Sequence, residues 1–460
     1  MKSPAVSVLS ACLLLPLVCL AHEPAPPAAF PDKAIHAPRP MPDRIVLTWD
    51  GDPATTQAVT WRTDTSVGRA EAELAVANEN GRDLKGTKVP ATTTALISSL
   101  GPAHYHSAGF RDLRPDTLYA YRVGDGVNWS EWSHFRTASR TTRAFSFLYF
   151  GDAQNDIRTH WSRVFREAFR QAPRAAFTLH AGDLINNAHN DAQWGEWFGA
   201  PAWVNATLPV VPIAGNHEYA RLDEKDEKAP RVLSRNWRPQ FTLPENGPAD
   251  LAEVRETAYW FDYQGARIVS LDSNVKQEEQ VPWLRATLQA NPQRWTILAF
   301  HHPIFSPARN RDNAKLRELW KPVLDEFKVD LVLTGHDHTY ARSGDVSSRV
   351  PVGDVNQPKG YNQVYDPAIG TVYVVSVSGP KMYDITSSDW AVRSAEDTQL
   401  FQVITVDGDE LRFEARTATN RLYDAFTLRK RPGEPNLLIE TLPPQRRRPA
   451  APRTPKEKPE

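Results

Sequence analysis

Two histidines one residue apart, His336 and His338 in "VDLVLTGHDHTYARS", follow the apolar run Leu331–Thr334. Across a turn after a strand, an i, i+2 spacing lets both imidazoles aim at one point, as metal ligation requires. Alone, the pair reads equally well as a polar turn. The chain repeats the arrangement, however. Apolar runs end in "YFGDAQ", "HAGDLIN", "IAGNHE", "AFHHP" and "LTGHDH", which sets Asp152, Asp183, Asn216 with His217, His301 with His302, and His336 with His338 at strand ends. In open α/β sheets ligands bind beyond the carboxyl ends of the strands, so such ends can converge on one crevice. One GD pair after a strand is usually a turn. Five polar clusters in order, each closing an apolar run, point to a metal site.

The donors are carboxylates, imidazoles and one amide, a set suited to Zn, Mn or Fe rather than to a soft metal. There are enough of them for two ions. A pair ~3.5–4 Å apart stabilises both the attacking and the leaving oxygen of an in-line phosphoryl displacement. On the stretch "HHPIFSPARNRD", His302, Arg309, Asn310 and Arg311 follow the fourth cluster as candidate phosphate contacts, because arginine suits bidentate phosphate binding. For the arginines the alternative is plain solvation, and for His302 a supporting place beside His301. Glu218 reads as a residue that orients its neighbours.

These residues need a scaffold, and the chain of 460 residues is long enough for two or three domains. Hydrophobic residues make up 41% and charged residues 24%, ordinary for a globular protein. Lys and Arg number 54 against 55 Asp and Glu, which offers nothing to nucleic acid or an acidic membrane surface. The opening "MKSPAVSVLSACLLLPLVCLAHEPAPP" has the form of a secretory signal cleaved after Ala21, implying a secreted or periplasmic protein with no transmembrane segment in the mature chain. "LSAC" at Cys12 resembles a lipoprotein box but lies too near Lys2. Cys12 and Cys19 are the only cysteines, so the mature chain is expected to hold no disulfide and no thiolate ligand.

Residues 22–42 read as a proline-rich linker. From 43 to 138 short alternating runs such as "RIVLTW", "QAVTWRT" and "TLYAYRV" predict an all-β sandwich, with Tyr119 or Tyr121 as a tyrosine corner. "NWS" at Asn128 and "NAT" at Asn205 match the glycosylation sequon, which has meaning only in a eukaryotic secretory pathway. Over 144–430 strand-like runs alternate with helical periods, notably about 158–171 and "NAKLRELWKPVLDEF", and predict an α/β domain. "FQVITVDGDELRFEARTA" reads as a hairpin and "LYDAFTLRK" as one more strand. Residues 431–460 are expected to form a disordered basic, proline-rich tail.

The ordered clusters resemble the metallophosphoesterase (calcineurin-like) signature, and with the fibronectin type III-like sandwich ahead of them the chain is similar to the purple acid phosphatases. That resemblance implies a β-sandwich core flanked by helices, holding two metal ions. It would make Asp152 a ligand of the first ion, Asp183 the bridge, and Asn216, His301 and His336 ligands of the second, with His338 returning to the first. His217 would contact the phosphate or protonate the leaving alkoxide. The activity implied is hydrolysis of small phosphate monoesters by a metal-bound hydroxide.

Two positions depart from the pattern. The purple enzymes have a tyrosine three residues after the bridging aspartate, here Asn186; the wider superfamily has a histidine two residues after the first aspartate, here Gln154. The seventh ligand is therefore Gln154 or Asn186 through an amide oxygen, or water. Without a phenolate, iron(III) loses a negative partner, so two divalent ions (Mn, Zn or Fe) are expected. Phosphodiester or nucleotide cleavage with the same ions is the nearest rival. A surface binding protein built over an inactive phosphatase-like domain is the rival from another class.

Overall fold

The computed structural model describes residues 30–443 apart from 83, 224, 227, 309, 345–363, 387–388 and 442. The signal pattern with Cys12 and Cys19, the start of the linker, Arg309 and the end of the tail lie outside the described residues.

The alternating runs after Asp43 form two four-stranded antiparallel sheets. One is ordered Asp43–Thr48, Gln57–Thr63, Gly101–Phe110, Thr92–Ser98; the other Thr87–Pro90, Glu71–Val76, Leu118–Gly124, Ser133–Arg136. Val59, Trp61, Phe110, Tyr119, Tyr121 and Phe135 fill the space between them. Tyr119 is the tyrosine corner: its hydroxyl accepts the Arg114 amide at 2.8 Å. Tyr121 instead donates to the carbonyl of Ala206 at 2.7 Å and ties the sandwich to the second domain.

Gln57–Thr63 is buried at every position, because both of its faces are covered. Val59 and Trp61 point into the sandwich, whereas Thr60 meets Thr242 and Arg62 pairs with Asp191 at 3.1 Å. Arg44 reaches the same carboxylate at 2.5 Å. A buried acid held by two arginines is costly to break, and here it ties the sandwich to the second domain. The linker is only partly extended. Asp32–His36 is a short helix whose His36 carbonyl accepts from Arg62 at 2.9 Å. Its ring lies so close to Gly195 that a Cβ there would fall 2.4 Å from Nδ1.

The second domain stacks two seven-stranded sheets. In the first, Val210–Pro212, Thr178–His180 and Phe145–Phe150 run parallel, and Leu400–Asp407, Glu410–Thr417, Leu422–Arg431 and Glu434–Thr441 extend it antiparallel. In the second, Ala266–Ser270, Trp295–Ala299, Leu331–Thr334 and Val372–Val375 are parallel. Phe147, Leu179, Ile297, Leu333 and Ile404 are among the side chains between the sheets, all fully buried. Strands buried on both faces explain the near-continuous apolar runs in the sequence. Val281–Gln289 and Ala314–Glu326 cover the outer face of the second sheet through Leu284, Leu316 and Trp320. Ser162–Gln171 packs Val164, Phe165 and Ala168 onto the first sheet after a π-turn at Ile157–Trp161.

One expectation needs correction. The tail does not begin at 431: Glu434–Thr441 adds an edge strand, with Asn436 bonded to Asp330 and Glu440 paired to Arg342 at 2.7 Å. Its inward face mixes Asn436 and Glu440, which meet buried charges, with Leu438, which packs on the core, so it lacks the apolar alternation that marks the other strands. Asn205 is 1% exposed and cannot carry a glycan as folded; Asn128 is half-buried and donates to Asp125 at 2.9 Å. No helix among the described residues is long and apolar enough to cross a membrane.

Candidate metal centre

The carboxyl ends of the parallel strands in both sheets open toward one edge, and every clustered residue lies just beyond one of them. The turns there are sharp. Asp152, Asp183, His336 and His338 all have left-handed backbone, with φ of 32°, 52°, 72° and 46°. Such conformations cost on the order of 1–3 kcal/mol each for non-glycine residues and collect where function requires them. Gly182, at φ 89°, and Gly335 let the turns close in: a Cβ would lie 2.5 Å from His301 Nδ1 at the first and 2.4 Å from Asp152 Oδ2 at the second.

Each imidazole is oriented by a second bond. His301 Nδ1–H donates to the Ala181 carbonyl at 2.8 Å, which leaves Nε2 3.2 Å from Asp183 Oδ2 and 3.0 Å from Asn216 Oδ1. His338 Nδ1–H donates to the Lys381 carbonyl at 2.9 Å and turns Nε2 toward Asp152, 3.7 Å from Oδ1. His336 presents Nδ1 at 2.9 Å from Asn216 Oδ1. Donor atoms of Asp152, Asp183 and His338 lie within 4.8 Å of one another, as do those of His301, His302 and His336. His302 is likewise fixed through Nδ1, 2.8 Å from Ser273 Oγ, and its ring centre lies 4.2 Å from that of His336. Asn216 Oδ1 bridges His301 and His336, and Asp183 touches both groups.

The charges are consistent with cations at this place. Burial pushes Asp152 well above the ordinary carboxylate range, with Asp183 adding to the effect. Asp183 is just as buried, but His301 and His217 hold it low. Asp152 Oδ1 and Gln154 Oε1 are buried with no hydrogen-bond partner among the described residues, which is rare in a native interior without an ion or water. An oxygen and imidazole donor set without sulfur, two orphaned buried oxygens and pre-oriented ring nitrogens fit a pair of hard or borderline metal ions.

Of the two candidates for the missing ligand, Gln154 lies among the donors. Its amide nitrogen is 3.0 Å from Asp183 Oδ2 and 2.9 Å from His338 Nε2, so turning the amide by 180° would direct the orphaned oxygen there. Asn186 accepts a 3.3 Å bond from Asn155 at its side-chain oxygen, and its backbone carbonyl takes the His217 Nδ1 proton at 2.5 Å. His217 Nε2 is thereby left facing the cavity, 3.9 Å from Asp183 Oδ2. Arg311 lines the same cavity, with Nε 3.1 Å from the buried Asp337 and Nη2 2.5 Å from His336 Nε2. Asn310 is exposed at a turn away from the lining.

Glu218 is the main orienting residue. It accepts amide hydrogens from Gly215 at 2.7 Å, Leu184 at 2.8 Å and Asp183 at 2.9 Å, and so fixes two ligand turns to each other. The cavity holds about 480 Å³. Its outer wall comes from residues no motif announces: Arg221 and Arg231 on the hairpin Tyr219–Arg221/Arg231–Leu233, and Lys381 and Tyr383 on the loop after Val372–Val375.

Comparison with known proteins agrees with this architecture. Residues 42–137 match the purple acid phosphatase N-terminal domain, and residues 145–340 match the calcineurin-like phosphoesterase family. An uncharacterised protein of Mycobacterium tuberculosis is 27% identical over 367 residues, covering 70% of this chain and 66% of that one. Purple acid phosphatase 1 of Ipomoea batatas is 26% identical over 54% of this chain and 53% of its own. A probable inactive purple acid phosphatase of Arabidopsis thaliana is 21% identical over 72% and 58%. The chain thus spans less than two thirds of the length of these relatives. Among solved structures, purple acid phosphatase PPD1 from yellow lupin seeds shares the fold with a TM-score of 0.67 over 84% of this chain and 74% of that one, at 19% identity. PhoD does so with a TM-score of 0.56 over 88% and 93%, at 13% identity.

Proposed function

We propose that this chain, a calcineurin-like metallophosphoesterase carrying the purple acid phosphatase N-terminal domain, hydrolyses phosphomonoesters with two divalent metal ions. The observation that carries the reading is the placement of His217. Its Nδ1 proton is fixed on the Asn186 carbonyl, and its Nε2 faces the cavity beside Asp183, where a leaving-group oxygen would need a proton.

Asp152, Asp183, His338 and Gln154 would hold one ion, and Asp183, Asn216, His301 and His336 the other. When bound, the ions supply an acidified water and neutralise charge on the phosphoryl oxygens. Asp183 orients both halves of the site with one carboxylate. Neutral amides at Asn216 and Gln154 keep the negative charge low, so divalent ions suit it better than iron(III). Arg311 is placed to contact a phosphate oxygen. Among lining residues the cations Arg221, Arg231, Arg311 and Lys381 outnumber the single carboxylate, Asp183. That balance favours a monoester dianion over a diester monoanion.

Relatives named as inactive exist, but this chain keeps the proton donor and all but one of the expected ligands. Export to the periplasm or the extracellular space is part of the proposal and rests on the leader pattern alone. Parallel assays of the Mn- or Zn-loaded protein on phenyl phosphate and on a bis-aryl phosphodiester test the reading. We expect the monoester to be favoured in kcat/KM by about tenfold or more; a preference for the diester overturns it.

A further inference from the structure

The metal ligands account for the floor of the cavity and leave its outer wall unexplained. Resting on the reading of the site as a phosphomonoesterase, we propose that its substrates carry a second phosphate group, seated on Arg221, Arg231 and Lys381 while the first lies over the metal ligands.

Three observations support this. The first is position: all three cations line the same cavity as Asp183, Asn216 and His217. They come from two separate elements, the hairpin Tyr219–Arg221/Arg231–Leu233 and the loop that follows Val372–Val375, so the wall is cationic on more than one side.

The second is the absence of counter-charge. The side chains of Arg221 and Lys381 pair with no carboxylate among the described residues. Lys381 lies 5.6 Å from the ring centre of Tyr383, an apolar support that leaves its charge free. Arg231 spends one Nη2 on two neutral carbonyls, those of Asn216 at 2.6 Å and Tyr219 at 2.7 Å, which fix its place without neutralising it. By contrast, Arg311 is already paired with Asp337.

The third is the charge requirement of the reaction itself. One phosphate dianion over two divalent ions needs little further positive charge. Arg221 and Arg231 are exposed and Lys381 is half-buried, so water screens them in the free protein, and an anion bound at this wall would gain partners that no carboxylate among the described residues already occupies. A carboxylate on the substrate could use some of those partners. A second phosphate uses more of them, with three acceptor oxygens and up to two charges. The second phosphate could be an ester, as in a sugar bisphosphate, or an anhydride, as in a nucleoside diphosphate; both present the same anion to the wall.

The test uses the metal-loaded full chain and two kinds of readout. Kinetics compare fructose 6-phosphate with fructose 1,6-bisphosphate, and AMP with ADP, in the wild type and in the double variant Arg221→Gln/Lys381→Gln. We expect the doubly phosphorylated member of at least one pair to be favoured about tenfold in kcat/KM through a lower KM, and the double variant to lose most of that margin. The bisphosphate and diphosphate arms tell the two sources apart. Calorimetric titration with orthophosphate and pyrophosphate reads the wall without any turnover. The wild type should bind pyrophosphate more tightly, and the double variant should lose about tenfold more affinity for pyrophosphate than for orthophosphate. Equal losses for the two anions, or no preference within either substrate pair, overturn the inference while leaving the phosphatase reading in place. Selective pyrophosphate binding without hydrolysis of any ester supports the wall and overturns the phosphatase reading instead.

Discussion

The carboxylate of Glu218 accepts the backbone amide of Asp183 at 2.9 Å, so the residue after His217 holds the turn that carries Asp183. The same oxygen takes the Gly215 amide at 2.7 Å, which couples the turn carrying Asn216 to the turn carrying Asp183. Glu218 has no access to solvent, and without it three buried amides would lose their acceptor.

Glu218→Gln should therefore act at a distance from the chemistry. One amide oxygen can still serve two donors, but the new NH2 would face the third. We expect metal affinity to fall about 10–100-fold, the usual effect of losing a group that orients ligands. Activity should return as metal is raised, which metal titration of turnover will read. Loss of turnover that excess metal does not restore would place Glu218 in the reaction itself.

His217→Ala should keep both ions and lose roughly 10²–10⁴-fold in turnover. The loss should shrink for esters of acidic phenols, whose leaving groups need less protonation. A series of aryl phosphates measures this. An equal loss across the series would mean that His217 positions the phosphate and donates no proton.

The C-terminal strand predicts a stability boundary. Cutting after Arg431 removes Asn436 from Asp330 and Glu440 from Arg342, whose side chains are 1% and 0% exposed. Breaking buried pairs of this kind typically costs roughly 3–5 kcal/mol. Part of that is offset by Lys430 and Asp424, which stay. Cutting after Pro443 should cost nothing measurable. Chemical denaturation of the two truncated chains will show whether the boundary falls there.

The sandwich should lose stability in mild acid through His106. Its ring nitrogens bond Thr63 at 2.8 Å and Thr93 at 2.9 Å. Burial, with His104 adding to it, pushes its pKa down to about 4 from 6.5. The folded state thus binds the proton less readily than the unfolded chain. The stability it contributes is complete above pH 6.5 and is lost as pH falls toward 4, by up to about 1.4 kcal/mol per unit in that window. Against a His106→Gln variant, the wild type should become relatively less stable from pH 7 to pH 4.5 in thermal melts. A gap that does not change with pH would mean that His106 titrates alike in both states.

Much of this was legible in the sequence because the strands that carry ligands are buried on both faces. "YFGD", "LTGHDH" and their fellows stand out as apolar runs cut short by a glycine and a donor, and each proved to end at the same edge. Tyr119 and Tyr121 could not be ranked from spacing, since the corner is defined by a bond to the Arg114 amide. Tyr340–Ser343 and Ala391–Ala395 pass unnoticed because Arg342 and Arg393 interrupt the apolar pattern, and both are paired inward with Asp424. The same holds for Glu434–Thr441. Arg221, Arg231 and Lys381 carry no motif; only folding of the hairpin and the loop over the cavity reveals them. That Gln154 lies nearer the other donors than Asn186 likewise depends on the direction of a side chain, which spacing does not give.

The Asp183 carboxylate is proposed to serve two ions, and metal content measured beside turnover tests this most directly. Wild-type protein stripped by a chelator should be inactive on phenyl phosphate and regain activity as two divalent ions per chain return. Asp183→Ala should bind neither ion firmly and remain inactive at the same metal concentration. Turnover by the stripped protein, or two tightly held ions in Asp183→Ala with near wild-type activity, would contradict the account.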